Sequence, residues 1–261
     1  MRSFLAVTLL ASLLGSPARA LATRQAAAAW KYRAVHVDTV DPAKLSQFEG
    51  ARREWLETLK AKHLTDGRGY FLQVDGSSFL TLCPFASFAE LDRRGATGSK
   101  VTEFVGRDAQ ARYDARSDDA LLPPHRNEIW SREAELDFTP EHAPLDELSA
   151  GAGRMVLEEL RPAPSAGEAY QRAWEVIRQV LTAAKYPLTR RTFSSTYGSG
   201  KLISLWLAKN HEELTAAAPV EAVVLQGLGK AKADEVFRNL KRALVDVKTS
   251  DLRVRPDLTV E

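Results

Sequence analysis

Residues 70–85 read YFLQVDGSSFLTLCPF. An apolar run ends at Val74, turns through Asp75-Gly76-Ser77 and resumes at Phe79, the pattern of a β-hairpin. Residues 191–208, RTFSSTYGSGKLISLWLA, repeat that layout: the run ends at Tyr197, turns through Gly198-Ser199-Gly200 and resumes at Leu202. Each hairpin is followed by the same helix-starting box, Ser87 with Glu90 and Asn210 with Glu213, and the two boxes are 210 − 87 = 123 residues apart. The match is one of punctuation and pattern, not of identity. Its period exceeds the ~20–50 residues of a solenoid unit, so it points to a duplicated domain.

Working outward, Trp30 to Thr39 alternates as a half-buried strand, and Asp41-Pro42 then opens a helix carrying Leu45, Phe48, Trp55, Leu56 and Leu59. After the first hairpin, Ser87 to Arg94 and Lys100 to Tyr113 read as helices, the latter with Val101, Phe104 and Val105 inward. Asp114 to Arg126 reads as a long polar loop, and Glu128 to Phe138 as a strand. The second half runs in parallel. Arg154 to Leu160 is a strand, and Ser165 with Glu168 forms a capping box for a helix bearing Tyr170, Trp174, Ile177 and Leu181. The hairpin and a short helix from Asn210 follow, then a helix at Val236 to Leu244 and a strand through Val245 and Val247. Each unit is strand, helix, strand, strand, helix, strand, the order of a ferredoxin-like split βαβ fold. The expected organisation is a leader at 1–20, a first repeat at 21–138, a linker at 139–153 and a second repeat at 154–261.

The strands carry two kinds of face. Leu80, Leu82, Ile203, Leu205 and Leu207 form a wholly apolar set, which suits the helix side. Phe79, Thr81, Cys83, Leu202, Ser204 and Trp206 form a mixed set, still too apolar for water. Packing the two sheets through the mixed faces would bury both and make an intramolecular pseudo-dimer with a cleft between the repeats.

The first 20 residues have the form of a secretory signal: Arg2, an apolar core from Phe4 to Leu14, and Ala18-Arg19-Ala20 as a small-x-small cleavage site. An exported protein, periplasmic or secreted, is expected, with no membrane span left after cleavage. The mature chain would have 261 − 20 = 241 residues, with 36 − 2 = 34 basic against 34 acidic side chains. That balance argues against a nucleic-acid partner. With Cys83 as the single cysteine, no intramolecular disulfide can form.

Familiar chemical motifs fail on their spacing. Gly198-Ser199-Gly200-Lys201 lacks the Gly and Ser/Thr that a phosphate loop needs at 195 and 202, and His211-Glu212 is followed by Thr215 where a zinc protease has His. The histidines at 36, 63, 125, 142 and 211 show no paired ligand spacing, so no metal site is expected. What remains is a set of polar residues on apolar strands: His36, Gln73, Thr81, Glu158 and Ser204, with Trp206 beside them. Sheet-to-sheet packing would let these converge. His36 could then take a proton from a substrate phenol or enol, although a strand histidine is also readily explained as a half-exposed polar residue.

Duplicated split βαβ units with these hairpins resemble the dimeric α+β barrel superfamily, which includes the antibiotic-biosynthesis monooxygenase, EthD and NIPSNAP families and two-repeat haem proteins of the chlorite dismutase type. The resemblance spans nearly the whole mature chain and is architectural. It implies a hydrophobic pocket between sheet and helices for an aromatic substrate or a haem. The expectation is an α+β fold of two tandem ferredoxin-like repeats, monomeric, binding a small apolar or aromatic molecule between them without a cofactor. The alternative is a cofactor-independent monooxygenase, or a haem-binding protein, using His36.

Overall fold

The computed structural model describes residues 30–63, 69–93, 103, 105–141, 145–148, 151–197 and 200–259. The expected leader at 1–20 lies outside them, as do Val101 and Phe104. Eight strands form one closed antiparallel barrel: β1 (Tyr32–Val40), β2 (Tyr70–Val74), β3 (Ser78–Phe85), β4 (Leu121–Arg132), β5 (Arg154–Pro162), β6 (Thr189–Tyr197), β7 (Leu202–Ala208) and β8 (Leu244–Val254). Their order around the barrel is β1-β3-β2-β8-β5-β7-β6-β4, closing on β1. The first four strands are adjacent in the order β4-β1-β3-β2, and the last four in the corresponding order β8-β5-β7-β6.

Local chemistry sets the elements. Asp75 and Gly76 both take positive φ, 36° and 68°, which the tight hairpin turn requires and which Gly76 accepts without strain. Asp41 accepts a hydrogen bond from the Ala43 amide and starts a 3-10 turn, from which helix α1 (Leu45–Ala61) continues. Both boxes after the hairpins form. Ser87 accepts from the Glu90 amide at 3.2 Å, and Asn210 from the Glu213 amide at 2.8 Å. The box expected at Ser165 does not form: Ser165 has φ 62° and no side chain caps the following helix.

Helix α2 (Arg107–Asp118) packs on α1, where Trp55 stacks on Tyr113 with centroids 5.0 Å apart. Helices α3 (Gly167–Ala183), α4 (His211–Ala216), α5 (Val220–Leu228) and α6 (Lys230–Ala243) belong to the second half. The segment 114–126, expected to be a loop, is instead the end of α2 and the first half of β4. Pro123 and Pro124 are tolerated there because β4 meets β6 only from Ile129 onward, and its ladder to β1 shifts register beside them.

The two strand faces are disposed opposite to expectation. Leu80, Leu82, Ile203, Leu205 and Leu207 point into the barrel, where they join Leu72, Met155, Phe193 and Leu252 in one cluster drawn from both halves. Full burial of each such side chain contributes roughly 1.5–3 kcal/mol. Phe79 packs outward with Phe48 and Phe71, and Trp206 outward with Trp174 and Tyr186. Leu72, Leu82, Met155, Phe193, Leu205, Leu207 and Leu252 in this cluster are fully buried, so the wholly apolar set belongs in the interior. The helix side, covered unevenly, admits the polar residues.

Part of the expected linker is structural. Glu147 is 1% exposed and accepts from Arg33 Nε at 3.2 Å and Arg33 Nη2 at 2.5 Å, while its second oxygen lies 3.9 Å from Arg191 Nε. Arg191 also donates to the Leu145 carbonyl at 2.9 Å and to Thr139 Oγ1 at 3.0 Å. The strap thereby sets one buried carboxylate against two arginines that the strands bury.

Candidate functional site

On β1, the residues Tyr32, Ala34, His36 and Asp38 share the outward face, since the inward neighbours Val35 and Val37 belong to the interior cluster. His36 pairs with Asn127 of β4 on one side and with Thr81 of β3 on the other. Asp38 Oδ1 lies 2.9 Å from His36 Nε2 and 3.0 Å from His125 Nδ1, and the two imidazoles are stacked at 5.9 Å and 11°. His36 Nδ1 is 2.6 Å from Asn127 Oδ1. The Asp38 side chain is 10% exposed, against 40% for His36 and 41% for His125, so a covered carboxylate holds two imidazoles that reach solvent.

The hydrogen bond that His36 donates to Asp38 raises the imidazole above its ordinary range, against the opposing pull of burial. Burial alone would raise the Asp38 carboxyl, but its hydrogen bonds and charge interactions with the imidazoles hold it below the ordinary range. The same face continues along β1 and β3. Ala34 pairs with Cys83, and beyond them Tyr32 stacks on Phe85 at 5.3 Å and meets Phe88 at 5.2 Å. Phe88 is 39% exposed. A floor of small side chains therefore separates an aromatic end from a polar one. Tyr32 and His36 are about 13 Å apart at ~3.3 Å per strand residue.

The six residues singled out from sequence divide into three groups. His36 and Thr81 fall together on this face. Gln73, on β2, accepts from Arg255 Nη1 at 3.2 Å, within a network that includes Glu49 and Asp257. Glu158, Ser204 and Trp206 lie on the outward face of the second half, and so do not converge with His36 inside the barrel. Sequence reasoning missed Asp38, His125 and Asn127. The alternation of His36 and Asp38 was visible, but His125 is 87 residues from Asp38 in a segment that reads as a loop.

In the second half the corresponding face is filled. Arg190, 1% exposed, places its guanidinium 3.9 Å from the Trp174 ring centroid and 5.7 Å from that of Trp206. It donates to the Leu136 carbonyl at 3.1 Å, Thr192 Oγ1 at 3.0 Å and the Tyr170 hydroxyl at 2.9 Å, and also to Ser204 Oγ. Glu158 Oε2 is 3.8 Å away. A haem between sheet and helices does not fit the residues present here. Trp174, Trp206 and Tyr186 occupy the space edge to face, and the second half's one histidine among the described residues, His211, is exposed on α4. In the first half Phe48, Phe71 and Phe79 fill the space under α1 in the same way.

No family model matches the chain, and no curated protein matches it. Solved structures do. A candidate monooxygenase from Fusobacterium nucleatum aligns with 12% identity and a TM-score of 0.51, covering 87% of this chain and 93% of that one. A candidate monooxygenase from Lactobacillus acidophilus aligns with 7% identity and a TM-score of 0.50, over 86% and 94%. Chlorite dismutase from Candidatus Nitrospira defluvii, in complex with imidazole, gives 10% identity and 0.50, over 90% and 96%. At these identities the likeness is one of fold: a ferredoxin-like α+β barrel.

Proposed function

We propose that the protein binds a small aromatic molecule with an acidic hydroxyl on the outward face of β1, β3 and β4. In this reading the hydroxyl meets the imidazoles of His36 and His125, the ring lies over Ala34 and Cys83, and Tyr32 and Phe88 bound the far end. One observation carries the reading: a covered carboxylate holds two half-exposed imidazoles, whereas a purely structural polar group would be enclosed with its partners. The names of the monooxygenase and chlorite dismutase neighbours, which denote chemistry on small molecules, agree with it.

The finer organisation belongs to the same proposal. Residues 21–138 and 154–261 are two copies of one unit, joined within a monomer, and the chain is exported after loss of residues 1–20. The equal strand order of the two halves supports the first statement, and the Arg2-to-Ala20 pattern supports the second. A second reading keeps the same face and makes the protein a cofactor-independent oxygenase. There His36 accepts the hydroxyl proton at Nδ1, with the substrate hydroxyl taking the place of Asn127 Oδ1, while Asp38, 2.9 Å from Nε2, orients the ring.

Isothermal titration of the purified protein with a panel of substituted phenols tests the binding reading. Saturable one-to-one binding that His36→Ala weakens at least tenfold is expected; equal affinity in wild type and variant would refute it. For the oxygenase reading, oxygen consumption with an electron-rich phenol should fall about 10²–10⁴-fold in His36→Ala.

A further inference from the structure

We propose that His36, Asp38 and His125 together hold a divalent first-row transition-metal ion, through His36 Nε2, Asp38 Oδ1 and His125 Nδ1. These three donor atoms all lie within 4.8 Å of one another. Two of the separations, 2.9 and 3.0 Å, equal the spacing of adjacent ligands around one ion, since metal bonds of about 2.1 Å at right angles place their donors about 3 Å apart. The carboxylate would swing little, and the imidazoles would keep their strands.

The outer contacts of the cluster also fit an ion. Asn127 Oδ1 stands 2.6 Å from His36 Nδ1, so the amide oxygen would accept the Nδ1–H while the ion replaces the proton that Nε2 shares with Asp38. A ring nitrogen tied to an oxygen acceptor behind a ligating histidine is the usual outer support of a metal site. The carboxylate partners are distinctive as well. Elsewhere on the molecule guanidinium groups answer the acidic clusters, as Arg255 and Arg53 answer Glu49 and Asp257. The ion pairs of Asp38 are both with imidazoles.

All three ligands come from two neighbouring strands of a closed barrel, so the site is rigid. They cover one side of the ion only. With both imidazoles about two-fifths exposed, the other side faces solvent, which leaves positions for water or for a ligand oxygen. Two histidines and one carboxylate with open positions suit iron(II), cobalt(II), nickel(II) or zinc(II) better than calcium or magnesium. One carboxylate leaves the divalent centre with net positive charge, which favours an anionic oxygen such as a phenolate. The proposal rests on the reading that this face is the working one, and adds what lies between the imidazoles and the ligand.

The test is cobalt(II) titration of the purified, chelator-treated protein, followed by calorimetry and by the visible absorption of the bound ion. One equivalent with a protein-derived ligand-field spectrum is expected. His125→Ala and Asp38→Asn should each weaken binding by at least a hundredfold, and Asn127→Ala by about 10–100-fold. His125→Gln, which keeps bulk and polarity at this half-exposed position, guards against loss through misfolding, and native circular dichroism should accompany its loss of cobalt. Absence of saturable uptake would overturn the proposal. So would uptake that His125→Ala and His125→Gln leave unchanged, because the ion would then sit elsewhere. The phenol titration of metal-free protein is read separately. Phenol binding without cobalt binding would sink the metal site and spare the functional face, and cobalt binding without phenol binding would do the reverse.

Discussion

The two outward faces of this barrel occupy corresponding places in the strand order and serve opposite ends. In the second half, Trp174, Trp206 and Tyr170 enclose Arg190, and its two terminal nitrogens donate to Leu136, Thr192, Tyr170 and Ser204, tying helix to sheet. Its Nε is buried without a hydrogen-bond partner among the described residues. In the first half, Asp38 secures His36 and His125 but leaves both imidazoles open to solvent. The same topology thus carries a sealed polar core on one side and an unsealed polar cluster on the other. Polar residues on a sheet do not announce a site. What separates the two cases is whether the surrounding aromatics close over them.

That contrast can be broken at its strongest point. Arg190→Met removes a buried cation and strands the Tyr170 and Ser204 hydroxyls between two indoles. The loss should be about 3–5 kcal/mol in urea unfolding. An unchanged midpoint would show that the second face is less closed than its contacts imply. Next comes the strap. Glu147→Gln keeps a hydrogen-bonding side chain but leaves Arg33 and Arg191 buried without their carboxylate, at a cost of about 2–3 kcal/mol by the same measurement.

The strap also predicts two pH limbs. Burial opposes the charge on Glu147, but Arg33 and the hydrogen bond from Asp146 hold its carboxyl down at about 2. Its contribution is therefore complete above the unfolded value of 4.5 and is lost as pH falls from there toward 2. Burial and the neighbouring Glu147 push Asp146 up to about 7, so its contribution is complete below 3.8 and fades as pH rises through about 7. Unfolding midpoints between pH 3 and pH 8 should show both limbs. Glu147→Gln should flatten the acid one and Asp146→Asn the neutral one, and a curve unmoved by either would refute the assignment. The smallest effect belongs to the open face: His125→Ala should change stability by less than about 1 kcal/mol, because the side chain is 41% exposed.

Much of this was legible in the chain. The hairpin at Asp75-Gly76, the boxes at Ser87 and Asn210 and the alternation of β1 are local signals that the fold keeps, whereas the box at Ser165 is one it does not. Period two also sorted Leu80 and Leu82 from Thr81 and Cys83. It could not say which set faces the barrel, because both sets are covered. His36 and Thr81 were legible as polar residues on an apolar strand. Their partners were not. His125 reaches Asp38 through a β4 whose prolines imitate a loop, and Glu147 sits in a stretch whose prolines and glycines read as a linker. Both depend on contacts between residues about 90–110 apart, which no local pattern encodes.

The central claim is that the face of His36, Asp38 and His125 is the working one and that of Arg190 is not. Amide and side-chain NMR spectra of the protein titrated with a substituted phenol test it directly. The account predicts shifts confined to β1, β3 and β4 around His36, Thr81, His125 and Asn127, with the Trp174 and Trp206 indole signals unmoved. Shifts centred on those indoles and on Arg190, with His36 and His125 silent, would contradict it.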